Sequence, residues 1–419
     1  MGQMRIADYF FLYAILVIWL MLIVNIVLTV AGHRYYLKTL KMDVSYWLKE
    51  YPMVSILVPA HNESMVIVKT VEALLNFDYP ADRYEIIVIN DNSSDNTGEL
   101  LENIRLRSPD KNLIIINTDS KTGGKGKSNA LNIGYARSKG SLIAIYDADN
   151  TPEKTALRYL VNHIVSDDSL GAVIGKFRTR NRDVNLLTRF VNIETLTFQW
   201  MAQAGRWHMF HLCTIPGTNF VIRREIIDKI GGWDVKAIAE DTEISFRIYQ
   251  MGYRIQYLPQ SVTWEQEPQT LPVWIKQRTR WATGNFYVLI KNLGLLFNRK
   301  LYSVKFDLIY FLSVYILFLS SILISDAFFV LGALGLVHLT IAGSSIILWI
   351  LAYMIFVLSV SVALLTEKGE TGPDNLFLIM IMYFTYCQLW IIAATLGLIG
   401  YVKTIIKHAD ARWYKTERF

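Results

Sequence analysis

Residues 9–31 are apolar except for Asn25 and Thr29, a run long enough for the roughly 20 residues that a bilayer-spanning helix needs. From residue 52 to residue 260 short apolar runs alternate with longer amphipathic ones. Residues 54–58 predict a strand ending in the turn Pro59-Ala60-His61-Asn62-Glu63, and residues 65–75 predict a helix with Val66, Val68, Val71, Leu74 and Leu75 towards the core. Further strands are predicted at 85–90, 113–117 and 142–146, with a helix at 97–107. Continuously apolar strands separated by helices argue for a parallel sheet covered on both faces. In such sheets ligands sit beyond the carboxyl ends of the strands, where the polar clusters Asn62-Glu63, Asp91 and Asp147-Ala148-Asp149 fall.

After residue 277 the chain turns largely apolar, with runs at 306–324, 327–341, 346–365 and 376–402. Ser325-Asp326 and the stretch Ala342-Gly343-Ser344-Ser345 are the expected breaks, which gives four spans, or three if residues 327–365 form one long tilted helix. Residues 274–298 interleave tryptophans and basic residues with apolar ones, as a helix lying in the membrane interface would.

A hydrophobic fraction of 53% and a mean hydropathy of +0.28 agree with an integral membrane protein. The formal charge, 42 − 36 = +6, lies beside the apolar runs instead of forming a stripe, which excludes nucleic acid as the expected partner and leaves membrane lipids. Arg5 and Asp8 precede the first run, whereas His33, Arg34, Lys38 and Lys41 follow it. The positive-inside rule then puts the N-terminus outside a plasma membrane and the next segment in the cytosol. Lys403, Lys407, Arg412, Lys415 and Arg418 make the tail cytosolic as well. The flanks do not read as a cleavable signal. Cys213 and Cys387 stand alone, so neither a disulfide framework nor a zinc site is expected.

Asp147 and Asp149 project to one side of an extended segment. Unrelieved, such a pair repels by about 4 kcal/mol at ~4 Å and an effective dielectric of ~20. A divalent cation with oxygen preference, Mg²⁺ or Mn²⁺, turns that cost into attraction and brings a diphosphate with it; a solvated loop is the plainer alternative. Asp91, with Asn62 and Glu63, can accept from a nucleobase or ribose, although Ser93, Ser94 and Asp95 also suit helix caps and Asx-turns. The glycine-rich stretch Gly123-Gly124-Lys125-Gly126-Lys127 opens a helix where a phosphate can approach, without Walker A spacing. Glu240-Asp241 opens a helix over 242–249, where a carboxylate is stabilised by the dipole or acts as a general base. Gln277-Arg278-Thr279-Arg280-Trp281 combines anion binding with an aromatic wall at the seam between the polar and apolar halves; interface anchoring explains part of it.

Taken together and in this order, these clusters, with Pro216-Gly217-Thr218-Asn219-Phe220, resemble the processive family 2 glycosyltransferases of the membrane-embedded cellulose, chitin, hyaluronan and poly-N-acetylglucosamine synthase type. The resemblance implies an α/β GT-A fold, Rossmann-like with a mostly parallel sheet, followed by α-helical transmembrane segments. Its expected division is residues 1–33 (first transmembrane helix), 52–268 (cytosolic GT-A domain), 269–300 (interface helices), 306–402 (channel helices) and 403–419 (basic tail). It implies that Asp241 is the base of an inverting transfer and that Asp147 and Asp149 hold Mg²⁺ or Mn²⁺. A UDP-sugar would meet Asn62, Glu63, Asp91, Lys127, Asp147, Gln277, Arg278, Arg280 and Trp281. The growing polysaccharide acceptor would meet Gly217, Thr218, Glu240, Asp241 and Trp281. Two departures, Ala239 before Glu240-Asp241 and Asn92 after Asp91, leave every assigned carboxylate in place. UDP-glucose polymerised to a β-glucan is the first expectation and UDP-N-acetylglucosamine the second. Non-processive glycosylation of a lipid, or a transporter or scaffold that has lost catalysis, are the further alternatives. With no regulatory segment expected beyond the tail, regulation or export would fall to an accessory protein.

Overall fold

The structure, a computed structural model, describes residues 5–298, 302–337, 339 and 345–407 of the 419-residue chain. Its described strands are β1 (Val54–Ala60), β2 (Tyr84–Asn90), β3 (Leu113–Asn117), β4 (Leu142–Ile145), β5 (Thr151–Pro152), β6 (Leu170–Thr179), β7 (Phe220–Arg223) and β8 (Arg254–Glu265). They form one sheet in the order β3-β2-β1-β4-β7-β6-β8-β5. β1 pairs in parallel with β2 on one side and with β4 on the other, so the strand order reverses at β1. β6 and β8 keep that direction, while β7, between β4 and β6, and β5, at the edge, oppose it. Every residue of β2 is buried, as a strand covered on both faces requires. The predicted fourth strand ends a residue early, at Ile145, yet Tyr146 still donates its amide to the Leu57 carbonyl at 3.2 Å. That bond carries the ladder up to Asp147.

The helices are α1 (Ile6–Thr39), α2 (Ile67–Leu75), α3 (Thr97–Arg107), α4 (Lys127–Arg137), α5 (Ala156–Val165), α6 (Leu186–Thr197), α7 (Gly205–Phe210), α8 (Arg224–Ile230), α9 (Glu240–Gln250), α10 (Leu271–Asn292), α11 (Tyr302–Leu312), α12 (Leu319–Ala333), α13 (Ser345–Leu364), α14 (Pro373–Met382) and α15 (Tyr386–Lys407). A widened helical stretch, Phe198–Ala204, joins α6 to α7. Another, Ser313–Phe318, joins α11 to α12 into a single rod.

Among the described residues, three helical stretches, Ile6–Thr39, Val304–Gly332 and Tyr386–Ile406, are long and apolar enough to cross a membrane. The expected break at Ser325-Asp326 does not occur, because α12 runs through both residues. Ser325 is buried and both side chains line an internal cavity, so their polarity is turned inward and needs no loop. The other expected break, at 342–344, and the basic residues Arg412, Lys415 and Arg418 lie outside the described residues.

Close backbone approaches tie the apolar helices to the sheet domain. A Cβ on Gly32 of α1 would lie 1.9 Å from the Trp200 carbonyl oxygen, and one on Gly205 would lie 2.4 Å from the Leu28 carbonyl oxygen. Only hydrogen fits at either crossing. Arg206, which follows, forms a completely buried ion pair with Asp307 of α11. α15 lies along α10 in the same direction: Trp274 meets Tyr386 and Trp390, Thr283 donates to the Gly397 carbonyl at 3.2 Å, and Phe286 meets Tyr401. The segment between α13 and α14 is clamped to β6 by Glu367 and Glu370. Lys176 reaches Glu367 at 2.7 Å and Arg178 reaches Glu370 at 3.0 Å.

Candidate active site

A cavity of about 750 Å³ opens at the carboxyl ends of β1, β2 and β4 and continues between α1, α12, α13 and α15. Its position follows from the sheet, since the crevice beside a strand-order reversal is where chain leaves the sheet on both faces. Asp91, Asp147, Asp149, Lys127, Glu240, Asp241, Gln277, Arg280 and Trp281 all line it. These side chains span nearly 200 residues of chain, and the predicted cluster is thereby brought together.

Asp241 stands in the first turn of α9, where Thr242 donates its amide to Oδ1 at 2.7 Å. Burial and the neighbouring Glu240 raise its carboxyl to about 7, against the opposing pull of Lys127 and Arg280. A buried carboxylate held near neutrality is what a general base requires. Gly217 faces it with a φ of +91°, and a Cβ there would lie 2.9 Å from Asp241 Oδ2. Glycine is therefore needed twice, for its left-handed backbone and for room in front of the base.

Lys127, at the start of α4, bridges the two carboxylate groups. Its Nζ lies 2.7 Å from Asp147 Oδ1 and 3.2 Å from Glu240 Oε1, and donates to the Gly217 carbonyl at 2.9 Å. Burial alone would lower its pKa, but Asp147 and Glu240 outweigh that and hold the ammonium charged. Thr218, expected at the acceptor, is buried behind Asp147: it accepts that residue's amide at 3.1 Å and donates to Asn150 at 2.5 Å.

Asp91, closing β2, uses Oδ1 to accept from Thr118 at 3.0 Å and from the Gly124 amide at 2.9 Å. The glycine-rich turn thus braces Asp91, and Lys125 within it is exposed. Asn62 is not in the cavity wall among the described residues. Its φ is +55°, and its side-chain Oδ1 accepts from the amides of Ser94 at 2.6 Å and Asp95 at 3.3 Å, which makes it the brace of the next loop. Glu63 is buried and does line the cavity.

Arg278 also lines the cavity. Its guanidinium is only 1% exposed, pairs with Glu194 at 2.9 Å and covers the Trp281 ring at 4.0 Å. It thereby backs the aromatic wall. Gln277 accepts from Arg278, and Trp281 keeps 39% of its surface exposed.

Two carboxylates not singled out from the sequence, Glu265 and Glu267, also line the cavity. Burial pushes Glu265 well above the ordinary carboxylate range, and repulsion from Glu267, Asp149 and Asp147 pushes it further. Burial raises Glu267 too, against the pull of Arg278. Glu265 ends β8 and Glu267 lies two residues beyond it, but that strand is interrupted by Gln256 and Ser261, so no apolar run marked them. Glu194, inside α6, was unmarked as well. This wall of hard oxygen donors under mutual repulsion fits Mg²⁺ or Mn²⁺ beside Asp147 and Asp149. Among the described residues, no group of three or more His, Cys, Asp or Glu side chains converges as a protein-only metal site would.

A family model described as glycosyltransferase-like family 2 matches residues 52–284, the segment that builds this sheet and site. The chain belongs to that family. This family 2 glycosyltransferase is 48% identical over 412 residues to the probable glycosyltransferase YdaM of Bacillus subtilis (strain 168), covering 98% of this chain and 97% of that one. It is 31% identical over 252 residues to the poly-β-1,6-N-acetyl-D-glucosamine synthase of Staphylococcus aureus (strain COL), covering 60% of this chain and 58% of that one. Its GT-A fold is similar to that of the mannosyltransferase PcManGT from Pyrobaculum calidifontis in complex with GDP-Man and Mn²⁺. There the TM-score is 0.60 at 22% identity, over 90% of this chain and 98% of that one.

Proposed function

We propose that this family 2 glycosyltransferase is a processive, inverting β-glycosyltransferase that builds a polysaccharide from a UDP-sugar and passes it across the plasma membrane. The observation that carries this reading is the single cavity with Asp241 and Trp281 at one end and Asp326 and Trp349 of the apolar helices at the other. A hydrated sugar chain does not cross hydrocarbon unaided, so synthesis and passage share one space.

In the reaction, Asp241 takes the proton from the acceptor hydroxyl as its oxygen attacks the anomeric carbon. The bond from that carbon to the diphosphate oxygen breaks, and UDP leaves with the electron pair. Inversion turns an α-linked donor into a β-linked product. Asp91 accepts from the base, Lys127 and Arg280 face the diphosphate, and Trp281 offers its indole to the terminal pyranose. Asp147 and Asp149 would hold Mg²⁺ or Mn²⁺, which supplies charge stabilisation to the leaving diphosphate when bound. The catalytic domain and tail are cytosolic and the N-terminus outside.

UDP-glucose, the first choice on sequence, draws no support from the relatives named above. UDP-N-acetylglucosamine is the donor to test first, because a relative over 60% of the chain is a poly-β-1,6-N-acetyl-D-glucosamine synthase. The aliphatic side of the cavity, with Ile15, Ile18, Leu22 and Ile322, favours a second reading in which the acceptor is a lipid. Purified enzyme given each radiolabelled UDP-sugar, with and without chelator, separates them. Long product digested by a linkage-specific hexosaminidase or glucanase, and lost on chelation, is expected. A single-sugar, organic-soluble product would overturn the processive reading.

A further inference from the structure

Trp281 lines the same cavity as the base and is backed by a residue of its own helix, whose anchor lies on another helix. The inner face of its indole is covered by the Arg278 guanidinium at 4.0 Å, and Arg278 is itself anchored by Glu194 of α6 at 2.9 Å. Two further groups converge on the same carboxylate. The Tyr386 hydroxyl donates to Glu194 Oε2 at 2.5 Å, and the Trp390 indole donates to Oε1 at 2.5 Å. Trp274 closes the cage by donating to the Tyr386 hydroxyl at 2.9 Å. One carboxylate therefore satisfies a charged donor and two aromatic donors, and joins α6 of the sheet domain, α10 behind the reacting end and α15 along the apolar side. The other acid near Arg278, Glu267, stands at 3.9 Å, too far to replace it.

We infer that Glu194 is a positioning residue for the acceptor: through Arg278 it sets the plane of the Trp281 indole. The inference rests on the processive reading. Trp281 is 39% exposed, so its ring has room to turn when Arg278 moves. Glu194 also lines the cavity, one helix away from the base. A sugar end stacked on a fixed indole presents its hydroxyl to the anomeric carbon. An end on a loose indole leaves that carbon open to water, which attacks in its place and releases free sugar and UDP. Glu194 thus decides how often a cleaved donor extends the chain.

The test compares Glu194→Gln and Tyr386→Phe with wild type, using UDP-N-acetylglucosamine and UDP-glucose in parallel, and counts sugar incorporated into polymer per UDP released. This ratio is unaffected by the fraction of enzyme that folds, because only active molecules enter either count. The ratio is expected to fall about tenfold in Glu194→Gln, the scale of a reactant moved off its aligned position, and less in Tyr386→Phe. Donor KM is expected to stay near the wild-type value. An unchanged ratio in both variants, or loss of all UDP release in both, would make the cage a folding element and overturn the inference. A wild type that releases UDP but makes no polymer from either donor would instead overturn the processive reading.

Discussion

Asp241 lies between Glu240, which repels its negative charge, and Lys127 with Arg280, which attract it; burial decides the balance and leaves it near 7. Only the deprotonated carboxylate accepts the proton of an acceptor hydroxyl. Transfer should therefore fall about tenfold for each pH unit below 7 and level off above it. Glu240→Gln removes the repulsion, lowers the Asp241 value and should move the rising limb of the pH–rate profile to the acid side by about one unit. Initial rates of UDP release between pH 5 and pH 9 check this, and a limb that stays or moves up would remove Asp241 from the role of base. At the other end of the donor site, a Cβ added to Gly123 would lie 1.9 Å from Thr118 Oγ1 and 2.5 Å from Asp91 Oδ1. Gly123→Ala must therefore displace the Asp91 carboxylate. Donor KM should rise about tenfold or more with a smaller change in kcat, the pattern of lost ground-state binding. An unchanged donor KM would show that Asp91 does not touch the donor.

Single elements divide by the range of the interactions that make them. β1 to β4 were legible because each is a short, largely apolar run followed at once by polar turn residues, the pattern of a buried parallel strand. β6, β7 and β8 were not, because Lys176, Arg178, Gln256 and Ser261 interrupt them and their pairing is non-local. β7 is inserted between β4 and β6 from far along the chain. Asp91, Asp147 and Asp149 were legible for the same reason as the strands they follow, and Asp241 because it opens a helix. Glu194 was not, because a carboxylate inside a helix says nothing of what packs on it. Ser325-Asp326 misled, since polar residues facing a cavity are written like a loop. Arg206 and Asp307, 101 residues apart, show the energetic side of such non-local contacts. Asp307→Asn leaves a guanidinium in a completely buried site without its counter-charge, which should cost about 3–5 kcal/mol. The double change Arg206→Met with Asp307→Leu should recover most of that loss. Thermal unfolding in detergent measures both, and a single variant as stable as wild type would mean that the pair carries little.

Across the whole molecule the reacting end and the apolar helices are joined by close contacts. Gly32 and Gly205 bring α1 onto the widened stretch before α7, Glu367 and Glu370 clamp the α13–α14 connection to β6, and α10 and α15 lie side by side. In the processive reading, a chain end that moves off Trp281 would enter the space walled by α12, α13 and α15. Ala352 of α13 lines that space with a small, buried side chain. Ala352→Trp would place an indole in it without touching Asp91, Asp147 or Asp241. If the polymer leaves through the cavity, the variant should release UDP in its first turnovers as wild type does, then stall. Its product should be cut to oligosaccharides while donor KM is unchanged. Gel filtration of radiolabelled product sizes it, and a burst followed by arrest in UDP release times the stall. Full-length product at an unbroken rate would mean that the chain departs by another way, and would leave the apolar end of the cavity to a lipid acceptor.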